Sequence, residues 1–173
     1  LEWGVAFWGA DFLVQDVGLS ESSAAIAMAG FFAAMAVGRM NGARLTRAFD
    51  GLDLLVSTFV LTAAAFPIFW LGPHPAVNIV GLLLLGLGIA NVYPVVASIA
   101  VGLVPGQADV AIARLMLTGS SAILVAPFAL GILGDLLGIA TAFGVLVPIS
   151  LAAIVTALGM RRAHGLPRPV ARQ

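Results

Sequence analysis

Six apolar runs, separated by short connectors that hold glycine, proline, serine and aspartate, constrain this chain more than any single motif does. Apolar residues make up 61% of the sequence and charged residues 9%, whereas a soluble domain carries roughly a quarter charged residues. Because about 20 apolar residues cross a bilayer as one helix, each run is read as one membrane span. The sequence therefore predicts an all-α, polytopic transmembrane helix bundle. The runs cover residues 1–14, 24–45, 54–71, 76–104, 111–133 and 139–160.

The distribution of positive charge predicts a single orientation for these spans. All eight basic residues are arginines, and short loops that carry positive charge stay in the cytoplasm. This rule places Arg39, Arg44, Arg47, Arg114 and the arginines at the end of the chain on one side. The connectors on the other side carry Asp16, Glu21, His74 and Asp135 but no arginine or lysine. We therefore predict a multi-pass protein of the cell inner membrane. A six-helix bundle at 1–160 precedes a basic cytoplasmic tail at 161–173.

The first run is shorter than the others and begins at Leu1 with no polar segment ahead of it. With Asp16 at the outer surface, Glu2 falls about 20 Å inward along the helix axis, near the middle of the bilayer. We expect about a third or more of this helix to lie upstream of Leu1, in a larger membrane protein. A signal peptide explains the run poorly, because Glu2 interrupts it and no basic region precedes it.

Polar side chains within the first run are candidates for binding a substrate or a coupling ion, because an ionisable group in hydrocarbon usually faces the bundle interior. Glu2 is a candidate for substrate binding or proton exchange, and the alternatives are a solvated helix end or a structural hydrogen bond. Trp8, Asp11 and Gln15 form a second stripe at helical spacing, with an interfacial anchor as the alternative. Nine steps of about 100° place Glu2 and Asp11 on opposite faces of a straight helix.

The fourth run combines a proline with polar side chains. Pro94 has no N–H, so it frees the carbonyl of Ala90 and is predicted to kink the helix. Asn91 is positioned to bond a hydroxylated or zwitterionic substrate, or alternatively to join two helices. Tyr93 faces either the cavity or the lipid. We therefore count Asn91 and Tyr93 among the candidate site residues.

The fifth run contributes hydroxyl groups and a second proline. Thr118 and Ser121 share a face with Arg114, and they face either a pore or the carbonyls of their own helix. Arg114 itself is predicted to be an anchor at the inner surface. Pro127 is a second predicted kink.

Several classes of function are disfavoured by the motifs. The sequence has no His-Glu-x-x-His, no phosphate-binding loop and no motif of an intramembrane protease. It also has no basic patch interleaved with aromatic residues, so nucleic acid is not an expected partner. We therefore predict that the chain is not an enzyme and uses neither a metal nor another cofactor, which leaves an ion gradient or the substrate gradient as its energy source.

The connector after the second run carries a family resemblance. In the major facilitator superfamily this connector has a pattern close to Gly-x-x-x-Asp-Arg-x-Gly-Arg-Arg, and here Gly42 and Arg47 fit it, whereas Thr46, Phe49 and Asp50 depart from it. Three further segments are similar to that family. They are Glu2…Trp8…Asp11-Phe12-Leu13, Gly86-x-Gly88-x-Ala90-Asn91-Val92-Tyr93-Pro94 and Pro127-x-x-x-Gly131-x-x-x-Asp135-x-x-Gly138.

The chain thus resembles the C-terminal six-helix half of a major facilitator superfamily transporter, in a sugar-permease-like or drug-efflux-like branch. The resemblance assigns Gly38, Arg39, Gly42, Arg44 and Arg47 to the cytoplasmic-loop motif. It also implies two three-helix inverted repeats, a missing N-terminal six-helix half, and secondary active transport of a small solute by alternating access. Protons are a candidate coupling ion. Two alternatives stay open: a non-transporting membrane assembly or sensor subunit, and a half-size carrier that dimerises.

Overall fold

The computed structural model describes residues 1–104 and 106–164, and this part of the chain folds into eight helices. Arg168 and Arg172 of the predicted tail lie outside the described residues. The last helix continues past the predicted boundary at 160. The helices are α1 (Glu2–Gln15), α2 (Glu21–Ala48), α3 (Gly51–Leu71), α4 (Pro75–Ile89), α5 (Val92–Leu103), α6 (Ala108–Leu137), α7 (Ile139–Phe143) and α8 (Leu146–His164).

The eight helices make six passes, because α4 and α5 form one interrupted pass and α7 and α8 form another. Five passes are long and apolar enough to cross a membrane, whereas α1 has 14 residues. The all-helical, polytopic bundle predicted from the sequence is therefore confirmed. The five long passes are Glu21–Ala48, Gly51–Leu71, Pro75–Leu103, Ala108–Leu137 and Ile139–Ala163.

Both interruptions fall four residues before a proline. The break between α4 and α5 lies at Ala90 and Asn91, where Pro94 has no N–H to bond the carbonyl of Ala90. The break between α7 and α8 begins at Gly144, four residues before Pro148, and the sequence analysis did not predict it. By contrast, α6 continues through Pro127 without interruption.

An aromatic cluster packs the bundle at the end where α1 and α3 finish. The ring centroids of Phe12 and Phe69 are 5.1 Å apart, and those of Phe12 and Phe143 are 5.2 Å apart. Phe66 packs against both Phe69 and Phe143. Edge-to-face and offset contacts at these distances are favourable. The cluster therefore joins α1, α3 and α7 at this end of the bundle.

A second, smaller core lies toward the opposite end, where α3 begins and α5 and α8 finish. It contains Leu52, Leu54, Leu55, Val95 and Ala157. Between the two cores, α3 packs along α4, and α2 packs on the other side of α4. Among the described helices, α6 packs mainly against α1, α5 and α7. This arrangement leaves α1, α2, α5 and α6 around an open space.

Candidate functional site

The open space between α1, α2, α5 and α6 is a cavity of about 580 Å³. It lies between the middle of the bundle and the end where α2 finishes and α6 begins, since its lining includes the start of α5 and the first half of α6. Its walls are mainly apolar, with one acid and one base. The lining residues are Glu2, Trp3, Arg39, Tyr93, Pro94, Leu115, Met116, Gly119, Ser120 and Ile123.

The acid and the base of this cavity form an ion pair. Arg39 Nη2 lies 3.7 Å from Glu2 Oε1, and the two side chains are 56% and 30% exposed. The Nε–H of Arg39 also donates a hydrogen bond of 3.3 Å to the carbonyl of Ala90. One guanidinium therefore connects three passes of the bundle: α1 through Glu2, α2 through its own backbone, and the α4–α5 interruption through Ala90.

The carbonyl of Ala90 is available to Arg39 because of the local sequence. In an uninterrupted helix this carbonyl would accept the N–H of residue 94, and Pro94 has none. A buried carbonyl without a partner is costly, so a donor from a neighbouring helix compensates for the lost bond. Arg39 supplies that donor, and the bond holds its guanidinium in a defined orientation beside Glu2.

Close packing of α2 on the α4–α5 interruption brings Arg39 within reach of Ala90. Asn91 is 3% exposed, and its Nδ2 donates to the carbonyl of Gly38 at 3.0 Å. A Cβ at Gly38 would lie 2.5 Å from the Cβ of Ala90, and a Cβ at Gly42 would collide with Oδ1 of Asn91. Only glycine permits this approach at both positions. Asn91 thus joins two helices here, which is the second of the two roles considered for it.

The cavity contains two of the side chains that sequence reasoning proposed as binding or coupling residues. Glu2 and Tyr93 line it, and Tyr93 is 46% exposed. Pro94 lines it as well. Glu2 and Tyr93 therefore remain candidates for contact with a solute.

The other proposed residues lie elsewhere. The Nε1–H of Trp8 donates to the carbonyl of Pro127 at 2.8 Å, which joins α1 to α6. Thr118 and Ser121 donate to the carbonyls of Arg114 and Leu117 in their own helix. The proposed residues that are exposed outside the cavity lining are Asp11, Gln15, Arg44, Arg47, Thr118 and Ser121.

Arg39 is the functional candidate that sequence reasoning assigned differently. Its position near Arg44 and Arg47 in the sequence suggested a shared place in the cytoplasmic loop. The structure continues α2 to Ala48, which places Arg39 about 14 Å along the axis from the helix end. The sequence did contain a usable signal: Arg39 lies within the predicted apolar run 24–45 and not in the connector that follows it.

A larger cavity of about 730 Å³ lies at the other end of the bundle, where α1 and α3 finish. Asp16, Trp70, His74 and Asn78 are among its lining residues. Desolvation raises the pKa of the Asp16 carboxyl above its usual range. Nδ1 of His74 accepts the N–H of Ala76 and thereby caps α4. This cavity holds no ion pair between described residues, so the smaller cavity is the stronger candidate.

A metal site finds no support in the described residues, which contain no group of three histidine, cysteine, aspartate or glutamate side chains able to hold an ion. The lining of the cavity offers one carboxylate, one guanidinium, two aromatic side chains and the hydroxyl groups of Ser120 and Tyr93, which are groups suited to binding a solute. A polytopic bundle with an ion pair beside a cavity between its passes is typical of membrane transport proteins.

Comparison with known proteins assigns the family. The model of the Major Facilitator Superfamily matches residues 2–173, and the chain belongs to this superfamily of transporters. It is 29% identical over 155 residues to an uncharacterized MFS-type transporter of Yersinia pestis. It is 34% identical over 131 residues to an uncharacterized transporter of Sinorhizobium fredii, and 24% identical over 166 residues to the membrane protein MosC of Rhizobium meliloti. The chain is accordingly a multi-pass membrane protein of a transporter family and not an enzyme.

The chain spans only part of the length of these relatives. The three matches cover 90%, 95% and 74% of this chain but 40%, 41% and 34% of the respective relatives. Among solved structures, the crystal structure of a mutant of the peptide transporter POT in complex with alafosfalin matches with a TM-score of 0.84. That match covers 93% of this chain and 35% of the POT chain at 18% identity, which supports the fold.

Proposed function

We propose that this chain is the C-terminal half of a twelve-helix secondary carrier, and that the cavity beside Glu2 and Arg39 is its half of the solute site. The observation that carries the proposal is the ion pair between Glu2 and Arg39 on the wall of a cavity of about 580 Å³. Opposite charges placed within a membrane pass are costly and are retained at substrate and ion pathways. The solute is moved by alternating access of two six-helix halves.

The N-terminal half covers the open side of α6. The side chains of Leu117, Leu124 and Phe128 are 71%, 75% and 71% exposed, and they continue along the same helix as the cavity residues Met116 and Ser120. The curated relatives are more than twice as long as the segment that this chain matches. A second helical bundle packed on this face closes the cavity and completes the site.

The lining favours an amphiphilic, drug-like solute over a sugar. A sugar presents many hydroxyl groups, and its site needs several donors and acceptors to replace the lost water. The cavity wall instead consists largely of Leu115, Met116, Ile123 and the two aromatic residues Trp3 and Tyr93. Protons are the coupling ion of this proposal, because Glu2 is the one carboxylate in the lining.

We propose that the chain lies in the inner membrane of the cell and that its C-terminus is in the cytoplasm. Three exposed arginines, Arg44, Arg114 and Arg161, lie at the ends of α2, α6 and α8 that face the same side of the six-pass topology. Positive charge in such positions is retained in the cytoplasm. The cavity then lies between the membrane middle and the cytoplasmic surface.

The test is transport by the full-length protein in proteoliposomes under an imposed proton gradient, with a panel of amphiphilic and sugar solutes. The expected result is uptake of an amphiphilic solute that falls by at least about 100-fold in Glu2→Gln and in Arg39→Gln. The control is Glu21→Gln at the exposed start of α2, which should leave uptake unchanged. The proposal fails if uptake in Glu2→Gln and Arg39→Gln equals that of the wild type.

A further inference from the structure

We propose that the cavity at the end of the bundle where α1 and α3 finish is a second binding site, for a primary organic ammonium ion with an aromatic or apolar body. The ammonium group bonds to the carboxylate of Asp16 and to Oδ1 of Asn78, and the body packs beside Trp70. This inference does not rest on the proposed function. Among the described residues, the cavity of about 730 Å³ shares no part of its lining with the cavity beside Glu2 and Arg39.

The cavity is also remote from that ion pair. Asp16 follows the end of α1 and Glu2 lies at its start, so about 20 Å separates them along the helix axis. Three segments form the walls of the cavity: the end of α1, the connector between α3 and α4, and the short helix α7. A ligand in this cavity therefore contacts three parts of the bundle at one of its ends.

Asn78 gives the clearest sign that the cavity takes a ligand with N–H donors. Its side chain lines the cavity and is 1% exposed. Its Nδ2 donates to the carbonyl of Phe69 at 2.7 Å, which fixes the orientation of the amide. Its Oδ1, by contrast, has no hydrogen-bond partner among the described residues. A buried acceptor without a partner is costly, and a donor on a ligand that reaches Asn78 from the cavity offsets that cost.

A series of short contacts brings Asp16 to the same end of the cavity as Asn78. The N–H of Asp16 donates to the carbonyl of Phe12 at 3.0 Å, so Asp16 lies one helical turn beyond Phe12. The ring of Phe12 lies 5.1 Å from the ring of Phe69, and the carbonyl of Phe69 accepts the amide of Asn78. The carboxylate and the amide oxygen thus belong to elements that pack directly on each other.

The charge at this end of the bundle favours a cation. The carboxylate of Asp16 takes part in neither of the two ion pairs formed by described residues. Desolvation raises the pKa of this carboxyl, and a positive charge beside it lowers the cost of its ionised form. The connectors at the same end also carry Glu21 and Asp135 but no arginine or lysine. Their combined field attracts positive ligands.

His74 does not cancel this negative charge. Its Nδ1 accepts the N–H of Ala76 at 3.3 Å, and an imidazole that accepts at one nitrogen is neutral and carries its proton on the other. The groups that α3 and α7 contribute to the lining, such as Trp70 and Thr141, are uncharged. With Asp16 ionised, the cavity therefore has one negative charge, which one ammonium group balances.

The size and the walls of the cavity favour an organic cation over a metal ion. A space of about 730 Å³ is far larger than a bare ion, and the described residues contain no group of three side chains able to hold a metal. Val17, Leu71 and Trp70 offer apolar surface to an organic body, and an aromatic face attracts a nearby cation. A primary ammonium group has three N–H donors, enough for both acceptors. Phenethylammonium, which joins such a group to a benzene ring, is thus a suitable probe.

The test measures equilibrium binding of radiolabelled phenethylammonium to the purified full-length protein. Asp16→Asn should weaken binding by at least about tenfold, because the charged partner is lost while the shape of the cavity is kept. The matched control is Glu21→Gln, which removes a carboxylate at the same end of the bundle but outside the cavity lining. Its affinity should equal that of the wild type. Phenylpropionate, an anion of similar shape, should not compete with phenethylammonium.

The role of Asn78 is tested by a change in the ligand. Phenethyltrimethylammonium keeps the charge and the ring but has no N–H, so the wild type should bind it about tenfold more weakly than phenethylammonium. Asn78→Leu should weaken binding of the primary ion by about tenfold and leave binding of the quaternary ion unchanged. A merely structural role of Asn78 would weaken both equally. If Asn78→Leu does not fold, the comparison of the two ions in the wild type still decides the point.

A cysteine in the wall locates the bound ligand. Thr141→Cys lies in the lining on α7, whereas Ser22→Cys lies at the exposed start of α2, at the same end of the bundle but outside the lining. Both are placed in full-length protein from which other cysteines have been replaced, and a charged thiol reagent is added. Saturating phenethylammonium should slow the modification of Thr141→Cys by at least about tenfold and leave that of Ser22→Cys unchanged.

Four results would overturn the inference. They are equal binding of phenethylammonium to Asp16→Asn and the wild type, equal affinity of the wild type for the two ammonium ions, equal weakening of binding in Glu21→Gln and Asp16→Asn, and modification of Thr141→Cys that the ligand does not slow. None of these results depends on uptake, so they leave the proposed function of the other cavity unaffected.

Discussion

The structure contains two carboxylate–arginine pairs that differ in what surrounds them. Asp53, near the start of α3, and Arg161, near the end of α8, are joined at 2.9 Å, with side chains 46% and 54% exposed. Glu2 and Arg39 lie farther apart, at 3.7 Å, but they line a cavity between the passes, and Arg39 is also bonded to the carbonyl of Ala90. The shorter pair sits at the ends of two packed helices, whereas the longer pair faces open space.

This difference shows that the distance within an ion pair does not indicate its role. An exposed pair with good geometry contributes about 0 to 1 kcal/mol to stability, because water competes for both charges. A pair with unused donors beside a cavity is poorly suited to holding helices together, but well suited to exchanging a partner. We therefore assign a structural role to Asp53 and Arg161 and a solute role to Glu2 and Arg39.

Charge exchange should produce the largest contrast between the pairs. Glu2→Arg with Arg39→Glu should lower uptake by at least about 100-fold, because a carboxylate at position 39 cannot donate to the carbonyl of Ala90. Asp53→Arg with Arg161→Asp keeps an ion pair between α3 and α8 and should retain most of the uptake. Proteoliposome uptake of the full-length variants measures both, and equal rescue of the two pairs would contradict the assigned roles.

The crossing of α2 on the α4–α5 interruption should have a smaller, structural effect. In Gly42→Ala the new methyl group displaces the side chain of Asn91, which then loses its hydrogen bond to the carbonyl of Gly38. We expect this loss to destabilise the fold by about 1 to 2 kcal/mol. The control is Gly102→Ala, because a Cβ at Gly102 meets nothing within 4 Å. Thermal melting in detergent compares the two variants, and we expect a lower Tm for Gly42→Ala alone. Equal melting would mean that Asn91 does not fix the position of Ala90.

Replacement of Asp16 should have the smallest effect on stability. Among the described residues Asp16 has no arginine within ion-pair distance, so its variant shows the effect of desolvation without that of an ion pair. Its pKa is raised by desolvation, so its ionisation disfavours the folded state. The stability that it contributes is complete below its unfolded pKa, near 3.8, and is lost as the pH rises through its folded pKa. Asp16→Asn should therefore melt like the wild type at low pH and be more stable above that range, by under about 0.5 kcal/mol. Melting curves across pH measure the difference, and a less stable variant at neutral pH would contradict the sign.

Much of the fold was predictable because the apolar runs and the prolines act locally. The six runs correspond to the six passes, and the freed carbonyl of Ala90 followed from Pro94 alone. The interruption at Gly144 also lies four residues before a proline, Pro148, but the apolar run across it hid the signal. Helix ends were less predictable: α2 and α6 extend several residues into the expected connectors.

The site was harder to predict because it is assembled by contacts between helices. Glu2 was identifiable as a charge within an apolar run, but its partner depends on how α1 packs against α2. Arg39 was grouped with the loop arginines Arg44 and Arg47, because the sequence did not show that α2 continues to Ala48. Trp8 was assigned to a possible cavity stripe, yet its indole N–H finds the carbonyl of Pro127 on α6, a contact that no local pattern encodes.

The most direct test of the central role of the cavity is the water accessibility of its wall, which needs no known solute. Ser120→Cys lines the cavity, whereas Val60→Cys lies on the outer side of α3, where it is 50% exposed toward the surroundings of the bundle. Both are introduced into full-length protein from which other cysteines have been replaced, and a charged, membrane-impermeant thiol reagent is applied from the cytoplasmic side. We expect rapid modification of Ser120→Cys and none of Val60→Cys. Equal resistance of both positions would contradict a water-filled solute cavity beside Glu2 and Arg39.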